Sequence, residues 1–223
     1  MGKIKSFLKS HSKLLCFVFN ILNVLPFNNK IKGKRHNKVI AKGLMRGCKI
    51  TFRGKNNTVE ILNGAFLKSC TLNISGNNNR IVFGEKTYAH FADLCTEDDN
   101  NRIIIGDNTD LCGKIHLAAI EGTMIEIGEN CLFSSEIVFR TGDSHSILDM
   151  SGNRTNPSQD IQIGKHVWVG HRVLINKGVR IGENNIIGTG AIVTKSFSDT
   201  NTVIAGVPAK VVKTGVNWDG ERK

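Results

Sequence analysis

Residues 161–196 run IQIGKHVWVGHRVLINKGVRIGENNIIGTGAIVTKS, and the stretch beats in sixes. Ile163, Val169, Ile175, Ile181, Ile187 and Val193 recur at every sixth position, each followed by a small or turn-forming residue: Gly164, Gly170, Asn176, Gly182, Gly188 and Thr194. Two positions before them stand Ile161, Val167, Val173, Val179 and Ala191, with polar Asn185 the exception. Amphipathic helices repeat every 3.6 residues or so and half-buried strands every second residue, so neither by itself gives six. The pattern fits a chain wound round a triangular prism, with one short strand and one corner per six residues. Stacked coils of that kind bury one aliphatic column behind each face.

Working upstream, TVEI (58–61), RIVF (80–83), RIII (102–105) and MIEI (124–127) follow one another at 22-residue steps. LNGA, GEKT, GDNT and GENC come directly behind them, and Cys48 and Cys70, like Phe52 and Ile74, keep the same step. Twenty-two is three sixes plus four, so each upstream coil reads as a standard turn with one corner lengthened. The Asn/Gly runs GKNN (54–57) and GNNN (76–79) supply the extra residues. Asn and Gly tolerate the positive φ of a tight corner, and Asn side chains stacked at one corner are able to bond between coils. The coils are expected from about Val39 to about Ser198. The fold class is therefore all-β, a parallel β-helix of 22-residue and then 18-residue coils. A basic and apolar helical segment (1–38) precedes a β-helix domain (39–213), and a polar tail (214–223) follows it.

Charge is uneven. Residues 1–59 hold 14 of the 30 Lys and Arg and no acid, so the other 16 face all 19 Asp and Glu for a net of −3. Residues 3–25, KIKSFLKSHSKLLCFVFNILNVLPF, read as a helix, basic early and apolar later. Its apolar run is too short for a bilayer span, and no small-x-small cleavage site follows it. It serves either as a cap on the open end of the prism or as a peripheral contact with an anionic inner leaflet. Nucleic-acid binding is disfavoured, because the segment lacks aromatic interleaving and any known motif. Six Cys without a CxxC pair read as free thiols, which favours a cytoplasmic location, with the inner face of the membrane as the peripheral option.

The beat stops between Phe139 and Ile163. The segment RTGDSHSILDMSGNRTNPSQDIQ (140–162) is polar and turn-rich, and a loop leaving a rigid repeat is where binding and chemistry usually sit. Within it His145 stands between Asp143 and Asp149. Imidazole is suited to proton transfer near neutral pH, and a nearby carboxylate such as that of Asp143, or a backbone carbonyl, is able to hold its ring. Histidines 11, 36, 90, 116, 166 and 171 carry structural or surface roles by default.

VWVGHRVLINKGVRIGENNIIGTGAIVTKS (167–196) followed by VIAGVPAKVVK (203–213) closely resembles the C-terminal half of the left-handed parallel β-helix acyltransferases of the hexapeptide-repeat family. GDSHSILD (142–149) with IQIGKHVWVG (161–170) resembles the active-site stretch of their bacterial polysaccharide O-acetyltransferases, including those that modify sialic-acid capsules. The likeness spans about residues 127–213. It implies the left-handed winding, a homotrimer, and acetyl-CoA held in grooves between neighbouring prisms with no metal. It gives His145, 23 residues before Trp168, the role of general base, and places Trp168 near the thioester and acceptor. Gly170, His171 (where many relatives carry Ser), Thr189 and Ala191 fall where the family lines the pantetheine. Thr194, Lys195, Lys210 and Lys213 fall near the nucleotide phosphates, and Pro208 in AGVPAK ends the prism and blocks further strand pairing.

The implied activity is acetyl transfer in a ternary complex to a hydroxyl of a bacterial surface polysaccharide or its sugar precursor. A small acceptor (free sugar, nucleotide amino sugar or antibiotic) is the alternative. Two remoter readings share the prism. A γ-type carbonic anhydrase uses an H-x4-H pair, which His166 and His171 match, but its third His would fall near Asn130, where none occurs. A noncatalytic scaffold leaves the polar loop unexplained.

Overall fold

The computed structural model describes residues 18, 19, 21–23 and 29–221, and most of the segment 3–25 lies outside them. Three sheets form the faces of a prism. Face I holds eight strands from Lys30–Lys32 to Ile192–Val193, face II seven from Lys38–Ala41 to Arg180–Ile181, and face III nine from Leu44–Arg46 to Ala209–Thr214. Every pairing between coils is parallel and joins a strand to its counterpart one coil away. Upstream registers step by 22, as in Thr58↔Arg80 and Arg80↔Arg102; downstream they step by 18, as in Gln162↔Arg180 and Trp168↔Ile186.

Strand residues alternate between the inside and the outside of the prism, the period-2 consequence of the pleat. Val169, Ile175, Ile181, Ile187 and Val193 are buried together with Ile103, Ile125 and Phe133 in one continuous core. The six-residue beat is thus a two-residue alternation interrupted by corners.

The lengthened corner carries the Asn ladder that the Asn/Gly runs predict. Asn56, Asn78 and Asn100 take positive φ of 58°, 57° and 65°, while Asn57, Asn79 and Asn101 point inward and are buried. Asn37 Oδ1 accepts from Asn57 N at 2.9 Å, Asn57 Oδ1 from Asn79 N at 2.8 Å, and Asn79 Oδ1 from Asn101 N at 2.8 Å. Thr123 and Thr141 continue the column, hydroxyl to hydroxyl at 2.6 Å. A second corner is lined by Thr87, Thr109 and Cys131, and further on by Asn185, which accounts for that polar exception to the beat. Its amide donates to Gly182 O and Asp199 O, and its Oδ1 accepts from Thr202 N. Corners turn backbone groups inward, where water is absent, so the side chains complete the pairing that the strands leave open.

Two expectations change at the ends. The first coil begins at Lys30–Lys32, whose register with Lys49–Thr51 puts strand pairing well before Val39. Alternating lysines hid this strand inside a basic run. Residues 18, 19 and 21–23 are helical, and Asn23 and Asn29 bond the otherwise open edge of face III through Gly43 O, Met45 N and Cys48 N, the covering that an exposed sheet edge requires. At the other end, pairing does not stop at Pro208. The chain turns at Val207–Pro208 and returns as Ala209–Thr214, antiparallel to Thr202–Gly206. A proline without an N–H is tolerated in that turn because the turn needs no ladder bond there.

Two substitutions test this account by thermal unfolding. Asn79→Ala removes four side-chain bonds of a buried ladder and should cost about 2–4 kcal/mol. Thr96 is fully buried with a hydroxyl that has no partner among the described residues. Thr96→Val should therefore raise stability by about 1 kcal/mol, and an equal or lower melting temperature would contradict it.

Candidate active site

The strand Ile137–Arg140 of face I pairs with Leu174–Ile175, although 36 residues separate the partners Val138 and Leu174. The surplus over an 18-residue coil leaves the prism after Arg140 and returns at Ile161–Ile163 on face II. Register is undisturbed, so the loop stands on rigid coils above and below. It folds back on its own root. A Cβ at Gly142 would lie 2.1 Å from Ser158 Oγ and 2.6 Å from Ile120 Cδ1, so a larger residue there would have to push both side chains aside.

Asn156 organises the loop. Its Nδ2 donates to Asp143 Oδ2 and to the His145 carbonyl, each at 2.8 Å, and its Oδ1 accepts from Ile147 N at 2.7 Å. Lys177, at the corner of the next coil, donates to Asp143 Oδ2 and to the Asn156 carbonyl. The Lys177 ammonium and the Asn156 amide hold the Asp143 carboxyl below its usual range. Farther out, Arg154 forms a forked ion pair with Glu121, and Ser158 Oγ donates to Glu121 Oε2 at 2.8 Å. Arg154 first and Ser158 second lower the Glu121 carboxyl. Ser144 sits at φ 63°, uncommon for a non-glycine residue, and turns the chain directly before His145.

His145 thus stands exposed on a clamped backbone. It lines a cleft of about 590 Å³ with Arg140, Asp143, Ser144, Asn176 and Lys177. Asp143 does not hold the imidazole in this arrangement. Its carboxylate bonds to Lys177 and Asn156, and it reaches His145 through Asn156 and the His145 carbonyl.

The other residues singled out in the sequence are not gathered in this cleft. Trp168 is 40% exposed on face III. Its indole lies 6.3 Å from that of Trp218, which stacks on His166 at 4.3 Å and donates Nε1–H to the His166 carbonyl. Gly170, His171, Thr189 and Ala191 follow at the corner between faces III and I, where Gly190 N donates to His171 O. His171 Nδ1 is bonded to Ser135 Oγ at 2.9 Å, and His166 Nδ1 to Asn184 Oδ1 at 3.0 Å. Thr194 and Lys195 lie past face I, with Lys195 Nζ 5.5 Å from the Phe197 ring. Lys210 and Lys213 lie on the final strand of face III. Within one chain, face I separates the cleft from Trp168, Gly170, His171, Thr189 and Ala191, whereas Thr194 and Lys195 lie on the cleft's side of it.

Sequence reasoning missed Arg140, Asn156, Asn176, Lys177 and Trp218. Asn156 before Pro157 carried a turn signal, but its bonds depend on how the loop folds. Lys177 sits 32 residues from His145 in the chain and meets the loop at Asp143 and Asn156 only through coil stacking.

The outward residues of face III form a column that is apolar along most of its length, from Leu44 through Phe66, Tyr88, Leu132 and Trp168 to Ile186. Asp110 interrupts it, and burial pushes its carboxyl up.

A parallel β-helix carrying a histidine-bearing loop defines a class, and comparison with known proteins gives the family. Residues 160–195 match the family described as bacterial transferase hexapeptide (six repeats). The solved polysialic acid O-acetyltransferase OatWY is 30% identical, with a TM-score of 0.77 over 87% of this chain and 92% of that one. The polySia-specific acetyltransferase NeuO gives 28% identity and a TM-score of 0.81 over 89% and 85%. The galactoside O-acetyltransferase of Escherichia coli (strain K12) is 36% identical over 44% of this chain and 48% of its own length. The chain thus spans about half the length of that curated relative. It belongs to the hexapeptide-repeat acyltransferase family, and its fold is the left-handed parallel β-helix.

The clamp makes a prediction about pH. Asp143 and Glu121 both have carboxyls lowered on folding. A lowered folded-state pKa contributes stability above the unfolded value, and that contribution is lost as pH falls through the folded one. Hydrogen-exchange protection of residues 143–158 should hold at neutral pH and weaken below the ordinary carboxylate range. Lys177→Met should weaken it already at pH 7 while the coils stay protected. Unchanged loop protection in that variant would refute the clamp.

Proposed function

We propose that the protein is an acetyl-CoA-dependent O-acetyltransferase that modifies a hydroxyl of a bacterial surface polysaccharide or its sugar precursor. The observation carrying this reading is His145, presented at the mouth of a cleft by a clamped loop on a prism shared with polysaccharide O-acetyltransferases. Neutral imidazole takes the proton from the acceptor hydroxyl as its oxygen attacks the acetyl carbonyl. The new C–O bond forms, the C–S bond breaks, and the imidazolium returns the proton to the departing CoA thiolate. General-base assistance of this kind is worth roughly 10²–10⁴-fold, and holding both substrates in one complex adds orientation. Backbone N–H groups serve the developing oxyanion.

Asp143 acts in this scheme at one remove, by fixing Asn156 and through it the His145 backbone. Gly170, His171, Thr189 and Ala191 form the pantetheine groove, and Thr194, Lys195, Lys210 and Lys213 supply positive charge toward the nucleotide phosphates. Trp168 flanks the thioester. Because Trp168 and the groove lie across a face from His145 in one chain, a homotrimer is the arrangement that joins them, the cleft of one copy meeting the groove of its neighbour. The apolar column of face III supports it, since monomers rarely leave such a strip uncovered. No described helix is long and apolar enough to cross a membrane. The basic first coils suit contact with an anionic membrane surface from the cytoplasmic side.

The galactoside relative favours one second reading, acetylation of a small free sugar. Assays with polymeric and monomeric acceptors separate the two. For the mechanism, His145→Ala should lower turnover by at least about 100-fold while CoA affinity, measured by calorimetry, stays near that of the parent. Near-normal turnover would remove His145 from the scheme.

A further inference from the structure

The charges of the cleft are unequally employed. It is lined by two basic side chains, Arg140 and Lys177, and one acidic one, Asp143. Asp143 is spent on Lys177, whose ammonium also donates to the Asn156 carbonyl. Lys177 is therefore a loop clamp with little charge left for a ligand.

Arg140 is different. It points outward at the end of Ile137–Arg140, is exposed, and lines the same cleft as His145. The one hydrogen bond of its side chain among the described residues runs from Nη2 to the neutral Ser144 hydroxyl at a long 3.3 Å, and no described carboxylate pairs with it. Arg80, Arg154 and Arg172 are each neutralised by a glutamate; of the described arginines without such a partner, Arg140 is the one that lines the cleft. Beneath Arg140 in the register lies Ala118, whose short side chain leaves the planar guanidinium room to turn. A guanidinium presents its donors as a fork that matches a carboxylate, and such charge-assisted pairs are about twice as strong as neutral ones.

We infer that Arg140 is the anion-recognising residue of the acceptor subsite. It pairs with a carboxylate on the sugar whose hydroxyl faces His145, which makes the acceptor an acidic glycan. This rests on the acyl-transfer reading and narrows it to one substrate class. Arg140 binds and orients the acceptor and leaves the proton transfer to His145.

The test compares polysialic acid with the same polymer after reduction of its carboxyl groups. The parent protein should prefer the carboxylated polymer. Arg140→Gln should shrink the ratio of the two kcat/KM values by roughly 10–100-fold, mainly through KM, because a charged hydrogen-bonded pair is lost. Arg140→Lys should recover part of it, since charge survives and the fork does not. No preference in the parent, or an unchanged ratio in Arg140→Gln, overturns the inference. Turnover of neither polymer would count against acyl transfer to a glycan. Calorimetric binding of polysialic acid then decides the inference separately: weaker binding to Arg140→Gln than to the parent sustains it, and equal binding or none to the parent overturns it.

Discussion

Backbone pairing between coils stacked in strict register is the constraint on which this structure rests. Each parallel strand finds its partners one coil away on either side, so every coil must return to the same place on the perimeter. A coil is free to be 22 residues or 18, provided the change falls at a corner. Whatever cannot be accommodated there must leave the prism. The 18 residues beyond a standard coil between Val138 and Leu174 do so, and the ladder closes beneath them as though they were absent. A rigid frame with one expelled segment is a good place for chemistry, because the loop's two roots are fixed by the coils beneath it.

Corners are where this design is costly, since they turn peptide groups into a dry interior. The chain answers with side-chain ladders, Asn37 to Asn101 and then Thr123 and Thr141 at one corner, Asn185 and Thr202 at another. These polar residues are buried in the core and bonded along the prism axis. They link each coil to the next in the same direction as the strands, so the axis is held by two kinds of hydrogen bond. The expelled loop uses the same chemistry once more. Asn156 satisfies a backbone carbonyl and a backbone N–H, and Lys177 and Glu121 tie the loop to its supporting coils.

The arrangement divides the labour of the site. The cleft with His145 lies past face I, while Trp168 and the expected donor groove lie on and beside face III. A prism presents its faces outward in three directions and has no way to fold one against another. Under the proposed function, bringing such residues together falls to assembly, and the apolar column on face III is the surface that assembly of identical copies would cover. The acidic and basic groups follow the same geometry. Those that hold the loop are paired within the chain, and Arg140 is left facing the cleft.

By itself the sequence determined the winding, the change from 22- to 18-residue coils, the Asn-lined corner and the place where the rhythm breaks. These are periodic properties, repeated along the chain and visible without knowing which residues meet. His145 was legible as the one histidine in the break, while Trp168 was singled out only by the family resemblance. The start of the first coil at Lys30 was hidden because a two-sided strand with lysines outward looks like a charge run. The antiparallel return at Ala209–Thr214 was hidden because a proline in a turn and a proline that ends a sheet read alike. Only the tertiary structure decided that Asp143 serves Lys177 and Asn156, that Trp218 folds back onto His166, and that Arg140 has no carboxylate partner among the described residues. Those contacts join residues from different coils or from opposite arms of a loop. Their partners are chosen by stacking in space, on which spacing along the chain is silent.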